Sequence, residues 1–178
     1  MKFEALPLKG AYLIELPAFA DDRGDFVKTF HADNFQQAGI DFTLRESYFS
    51  LSRKDVIRGM HFQTPPHQHS KVVFCPQGAI LDVIVDLRKD SATYGQHYAH
   101  ELSKANHLAY FIPQGFAHGF KSLTDDAITY YLVSSVYNKD HDTGILYSSI
   151  GYDWNVDSPI VSARDMSFAR LADFDSPF

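Results

Sequence analysis

Ten short β-like runs between Ala11 and Tyr137, broken at close intervals by turn residues, constrain this chain more than any other feature. They lie near Ala11–Glu15, Phe26–His31, Phe42–Ser50, Val56–Gln63, Lys71–Pro76, Ala79–Leu87, Gln96–Leu102, His107–Ile112, Phe116–Leu123 and Ala127–Val136. Pro76-Gln77-Gly78, Lys89-Asp90-Ser91 and Asp125-Asp126 are typical of the breaks. Strands so short and so closely spaced predict an all-β sandwich or barrel and exclude a βαβ fold. Only two segments read as helical. Asp33–Ala38 has Asp33 as N-cap and Gly39 as stop. Ser162–Leu171 opens on Ser-Ala-Arg-Asp, which resembles a capping box. The tail from Asp173 to Phe178 is expected at the surface or without order.

At 178 residues the chain is expected to form one domain, residues 1–178, burying about 70% of its unfolded surface. A net charge of -6 argues against nucleic acid as the partner. No apolar run approaches the ~20 residues of a membrane span. Met1–Lys9 lacks the apolar core of a secretory leader. Cys75 stands alone within an apolar run, so no internal disulfide can form, which fits a reducing cytoplasm.

The chemistry concentrates in Val56–Lys71, where Arg58, His61, Gln63, His67, His69 and Lys71 lie between apolar strands. Alternation puts His61 and Gln63 on one strand face with Ile57, and Arg58 on the other unless Gly59 marks a bulge. The same parity in Ala79–Leu87 sets Asp82 and Asp86 beside Ile80 and Ile84, an interior that is partly polar. Tyr131 and Tyr137 share a face and can line one cavity, although parity does not choose which of Tyr130 and Tyr131 points inward. Two readings compete. Pro113, Gly115 and His118 resemble the second metal motif of the cupins, and His67 and His69 imitate the first. The Glu expected after that His-x-His pair is absent, however, and Lys71 would repel a cation. The acid–base reading uses more residues. An imidazole with a pKa of about 6.5 suits a general base, an ammonium suits a developing oxyanion, and a phenol suits a proton donor. His61, Lys71 and Tyr131 supply the three, and His67 and His69 are then a solvated loop after the Pro65-Pro66 turn.

Taken together the motifs resemble the dTDP-4-dehydrorhamnose 3,5-epimerases, a cupin-fold branch of sugar-nucleotide enzymes. The matching runs are Asp22-Arg-Gly-Asp-Phe26, Val56-Ile-Arg-Gly-Met-His-Phe-Gln63, Lys71-Val-Val, Asp82–Gly95, Ile112–Phe120, the Tyr131 to Tyr137 pair, Gly151-Tyr-Asp-Trp154 and Val161-Ser-Ala-Arg-Asp165. The resemblance implies a cupin-type jelly-roll barrel and a cytoplasmic epimerase of a nucleoside-diphosphate 4-keto-6-deoxysugar that uses no metal and no cofactor. In it His61 is the base, Asp165 its carboxylate partner, Tyr131 the acid on the opposite face, and Lys71 the group that steadies the enolate. Arg23, Arg58 and Tyr137 would hold the diphosphate, His118 the sugar, and Gln63, Asp142 and Arg164 further parts of the ligand. It also implies a homodimer whose N-terminal strands reach the partner's site. Three positions depart from the family pattern: Lys28 replaces a Glu, and Glu46 and Tyr48 replace Gln and Asn. All three are expected to read the nucleotide, so its base is expected to be other than thymine or to be read differently. Alternatives are a single-centre epimerase or isomerase of another activated sugar, a metal-dependent cupin enzyme using His61, His67, His69 and His118, and a sugar-binding cupin without catalysis.

Overall fold

The computed structural model describes residues 1–178. Fourteen strands run in order: β1 (Lys2–Ala5), β2 (Tyr12–Glu15), β3 (Ala18–Asp21), β4 (Gly24–Val27), β5 (Glu46–Ser52), β6 (Val56–Gln63), β7 (Lys71–Gln77), β8 (Ala79–Asp86), β9 (His97–Ser103), β10 (Leu108–Ile112), β11 (Phe116–Ser122), β12 (Ala127–Val133), β13 (Asp142–Gly144) and β14 (Ile160–Val161). One sheet has the order β1-β2-β10-β7-β12-β5, the other β13-β6-β11-β8-β9 with β14 parallel to β6. Strands β3 and β4 form a separate hairpin. No helix is long and apolar enough to cross a membrane.

Strand alternation builds three apolar layers from this order. Val73 and Cys75 of β7, Ile80 and Ile84 of β8, Phe116 and Phe120 of β11 and Tyr131 and Val133 of β12 meet between the sheets. Val72, Phe74 and Leu132, one residue out of phase, form the outer face of the first sheet. That face is closed by Phe35 of helix α1 (Ala32–Gln37), with Ile40 and Phe42. Val83, Val85, Ile57, Met60 and Phe62 face outward from the second sheet and are covered by Ile150, Trp154, Phe174 and Phe178.

Several expectations shift at the edges. The first turn of α1 contains Asp33, and its N-cap is His31, which makes no side-chain capping bond. The segment before β5 is not strand, because Ile40 and Phe42 are drawn into the aromatic cluster around Phe35. The C-terminal helix α2 is only Ala163–Met166, with the Ser162 hydroxyl accepting from the Asp165 N–H. The tail is fastened rather than loose. Ser176 is buried with its hydroxyl donating to the Leu87 carbonyl, and the Phe178 ring packs edge-on against Phe62.

Candidate active site

Strand β6 carries the site because it is not a regular strand. His61 is opposite His118 of β11, and Arg58 is opposite Phe120, so two residues of β6 face the single Gly119. This bulge is the one Gly59 hints at in the sequence. It shifts the phase so that Ile57, Met60 and Phe62 point outward while Arg58, His61 and Gln63 point in. Gly59 adopts φ +135, and a Cβ there would lie 2.5 Å from the Gly119 Cα, so both positions need glycine for this close approach.

A cavity of about 360 Å³ opens between the sheets. From the first sheet come Glu46, Tyr48 and Ser50 of β5, Lys71 of β7, and Tyr131 and Val133 of β12. From the second come Arg58, His61 and Gln63 of β6, His118 of β11 and Asp142 of β13. His69, Tyr137 and Arg164 complete the wall.

The His61 Nε2 lies 2.9 Å from Asp165 Oδ1, while Oδ2 accepts the Gly59 N–H at 3.1 Å. Burial alone would raise the Asp165 carboxyl, but the bonds from His61 and Gly59 and the capping contact with Ser162 hold it below its ordinary value. An ionised Asp165 accepts the Nε2 proton and leaves the Nδ1 lone pair of His61 free, the tautomer a base requires. Across the cavity, Tyr131 is 8% exposed. Its hydroxyl is pushed well above the usual phenol range by burial, then by Tyr48 and Asp82, and so carries its proton at any working pH. Tyr130, by contrast, stacks on Phe74 on the outer face.

Lys71 is 6% exposed and donates to the His61 carbonyl at 3.2 Å. Burial pulls its pKa down to about 8, against the opposing pull of Asp142 and Asp82. His118 sits 2.8 Å from Asp82 through Nε2. Burial lowers the His118 pKa and raises that of Asp82, against the attraction and hydrogen bond between the two, so each is pushed toward its neutral form. Asp82 thus positions a wall residue. Asp86 instead ties down the loop after β8, accepting from Arg88, Ser91 and Thr93.

Other expected residues are placed as follows. Arg58 donates to the Ser52 hydroxyl and Leu51 carbonyl at the mouth. Arg164 pairs with Asp142 at 2.6 Å, and Tyr137 is an exposed rim residue. Gln63 lines the cavity, but its amide is engaged internally, accepting from the Asn138 N–H and donating to the His67 carbonyl. Glu46 accepts the Tyr137 N–H. Tyr48 lies beside the chemistry rather than apart from it, its ring stacked on Tyr131 at 4.8 Å. Arg23 and Lys28 do not reach this cavity, since both are exposed at the β3–β4 hairpin and Arg23 pairs with Asp21.

The loop carrying His67 and His69 is not free in solvent. The His67 ring packs on His141 at 4.5 Å, and His69 is a half-buried wall residue that sequence reasoning assigned to a solvated turn. Its position two residues before the inward-facing Lys71 was the signal available. No three His, Cys, Asp or Glu side chains converge in a group that could hold a metal ion. His61 and His118 each turn one ring nitrogen to a separate carboxylate.

Residues 5–173 match the sequence profile of the dTDP-4-dehydrorhamnose 3,5-epimerases. The enzyme of that name from Methanothermobacter thermautotrophicus is 39% identical over 175 residues, covering 96% of this chain and 94% of its own. A dTDP-4-dehydrorhamnose 3-epimerase of Streptomyces niveus is 34% identical over 176 residues, covering 97% and 85%. The crystal structure of the 3,5-epimerase from Bacillus anthracis, with TDP and PPi bound, is similar with a TM-score of 0.92 at 38% identity, covering 95% of this chain and 98% of that one. With a profile match over nearly its whole length, this jelly-roll chain belongs to the dTDP-4-dehydrorhamnose 3,5-epimerase family.

Proposed function

We propose that the chain, acting as one domain, is an epimerase of a nucleoside-diphosphate 4-keto-6-deoxysugar, with a dTDP-linked sugar as the first substrate to test. One observation carries the mechanism. A carboxylate-oriented imidazole, His61, and a protonated phenol, Tyr131, stand on opposite sheets across one cavity, with the Lys71 ammonium beside them. In this reading the Nδ1 of His61 removes the proton from a carbon next to the ketone. Electrons move onto the ketone oxygen, giving an enolate that Lys71 stabilises. The Tyr131 hydroxyl then returns a proton to the opposite face, which inverts the centre. Arg58, Tyr137, Asp142 and Arg164 surround the ligand at the mouth, the guanidinium forks being shaped for phosphate oxygens.

The test is exchange in deuterated water with dTDP-4-keto-6-deoxyglucose. Label should enter carbon 3, carbon 5 or both, and the count states whether one or two centres invert. Replacing Tyr131 with Phe should separate the two half-reactions: label still enters through His61, with the starting configuration retained, while inverted product falls about 10²-fold or more. Full inversion by the Phe variant would place the acid elsewhere, and no label from any 4-keto sugar nucleotide would remove the epimerase reading.

A homodimer is part of the same proposal. The β3–β4 hairpin projects Phe19 and Phe26, 62% and 64% exposed, next to Arg23 and Lys28, which have no role in their own chain's cavity. Burying those rings against a second copy would remove the apolar surface and can bring Arg23 to the partner's diphosphate. Mixing H61N and R23A chains should then recover more activity than the two give separately, because one hybrid site is intact. A purely additive mixture, or a chain that sediments as a monomer, would end this part of the proposal.

A further inference from the structure

The chain has a wall group to which the mechanism above gives no task. His69 lines the cavity beside Lys71 and His118, and its Nδ1 lies 3.3 Å from the Gln63 Nε2. The identity of that amide end is settled by its other contacts. Gln63 Oε1 accepts the Asn138 N–H at 2.6 Å, and Nε2 donates to the His67 carbonyl at 2.8 Å. An amide nitrogen only donates; one of its two protons goes to the His67 carbonyl, and the second has the His69 Nδ1, the Ser135 hydroxyl and the Val136 carbonyl each at 3.3 Å. The nearby Ser135 hydroxyl, 3.3 Å from the same nitrogen, has its own proton on the His67 carbonyl at 2.9 Å. Where Nδ1 accepts the second amide proton, the proton of a neutral His69 sits on Nε2; where Nδ1 donates to the Ser135 hydroxyl, Nε2 is an acceptor instead. That nitrogen makes no bond within the chain, yet it is not among the sealed polar atoms lacking a partner, so it is open to the cavity the ring lines.

We propose that His69 is a substrate-binding residue, a neutral imidazole whose Nε2–H donates to an oxygen of the sugar at the Lys71–His118 end of the cavity. This rests on the epimerase reading above and adds a donor to it. Burial, then the neighbouring ammonium of Lys71, push the imidazole pKa down to about 3, so the group offers a hydrogen bond without adding positive charge beside Lys71. His118 complements it. With its Nε2 turned to Asp82, the His118 Nδ1 makes no bond within the chain, so the two imidazoles each leave one ring nitrogen free for a ligand. A sugar carrying a ketone and hydroxyls matches that pair, and Gln63, in giving its second amide proton to Nδ1, is the positioning residue for His69.

Two measurements test the assignment. Replacing His69 with Leu removes the donor and should lower kcat/KM for the 4-keto sugar nucleotide about 10-fold, mainly through KM. Replacing it with Gln, whose amide can donate from the same wall, should restore kcat/KM to within about threefold of wild type. A packing role would instead favour Leu over Gln. Imidazole ¹⁵N spectra of the free wild-type enzyme should show His69 as the Nε2–H tautomer, unchanged between about pH 5 and pH 9. Wild-type kcat/KM in the Leu variant, or an Nδ1–H tautomer, overturns the proposal. Failure of the epimerase reading looks different, because wild type itself would then exchange no label while the spectrum still reports the tautomer.

Discussion

Replacing His61 with Asn is expected to abolish solvent-deuterium incorporation at both carbons flanking the ketone, lowering the rate by about 10²–10⁴-fold. The fold should survive. His61 is paired with Asp165 at the cavity wall and contributes no side chain to the three apolar layers. Asp165 would keep its bond from the Gly59 N–H and its link to Ser162, so the bulge that aims β6 retains its anchor. An Asn amide is uncharged and has no basic nitrogen, and it cannot accept a proton near neutral pH. The measurement is the labelling experiment above, with thermal melting as the control on folding. Exchange at more than about a tenth of the wild-type rate would assign the base to another residue.

Replacing Lys71 with Met should give the opposite signs for activity and stability. The wild-type lysine titrates near 10.5 unfolded and near 8 in the folded chain. At pH 7 both states carry the proton, and the folded state bears the full net cost of holding the charge, burial less the pull of Asp142 and Asp82, roughly 3 kcal/mol. Between pH 8 and 10.5 the folded lysine is neutral and the penalty shrinks; above 10.5 it is gone. Met also gives up the Lys71 hydrogen bond to the His61 carbonyl, which offsets part of the gain. The Met variant is therefore expected to be about 1–2 kcal/mol more stable than wild type at pH 7, a rise in Tm of roughly 2–8 °C. The advantage should narrow as pH rises through 8. Activity should fall about 10²–10³-fold, since the enolate loses its cationic partner. Wild-type kcat/KM should also decline on the alkaline side with an apparent pKa of about 8. A Met variant that melts below wild type at pH 7, or that turns over normally, would show that Lys71 is a structural cation. The comparison is direct: a group retained at a cost in stability is one the chemistry needs.

The layered β architecture could be read from the chain because strand phase is a local property. Alternation in Ala79–Leu87 places Asp82 inside with Ile80 and Ile84, and the structure has that face inward. Short edge elements were not legible. Strands β1, β3, β13 and β14 have between two and four residues, too few for a period to show, and each is defined by its partner rather than by its own pattern. The loose tail expected after Asp173 packs on Phe62 and Leu87, since apolar surface on the outside of the second sheet needs a cover.

The residue types of the site and their order along the chain were legible without coordinates: an imidazole, an ammonium, a phenol and a carboxylate, in runs similar to a family of epimerases. Which of them face one another depends on how the two sheets pack. A single extra residue at Gly59–Met60 turns Arg58 and His61 to the same side, and pairing of β5, β7 and β12 in one sheet puts Tyr48 against Tyr131. The same packing sends Arg23 and Lys28 out of the cavity and draws His69 in, because a loop's position depends on its contacts with Gln63, Ser135 and Asn138, far along the chain. Period along a strand is set by neighbours in sequence, but the meeting of two walls is set by sheet pairing between residues that sequence spacing leaves unrelated.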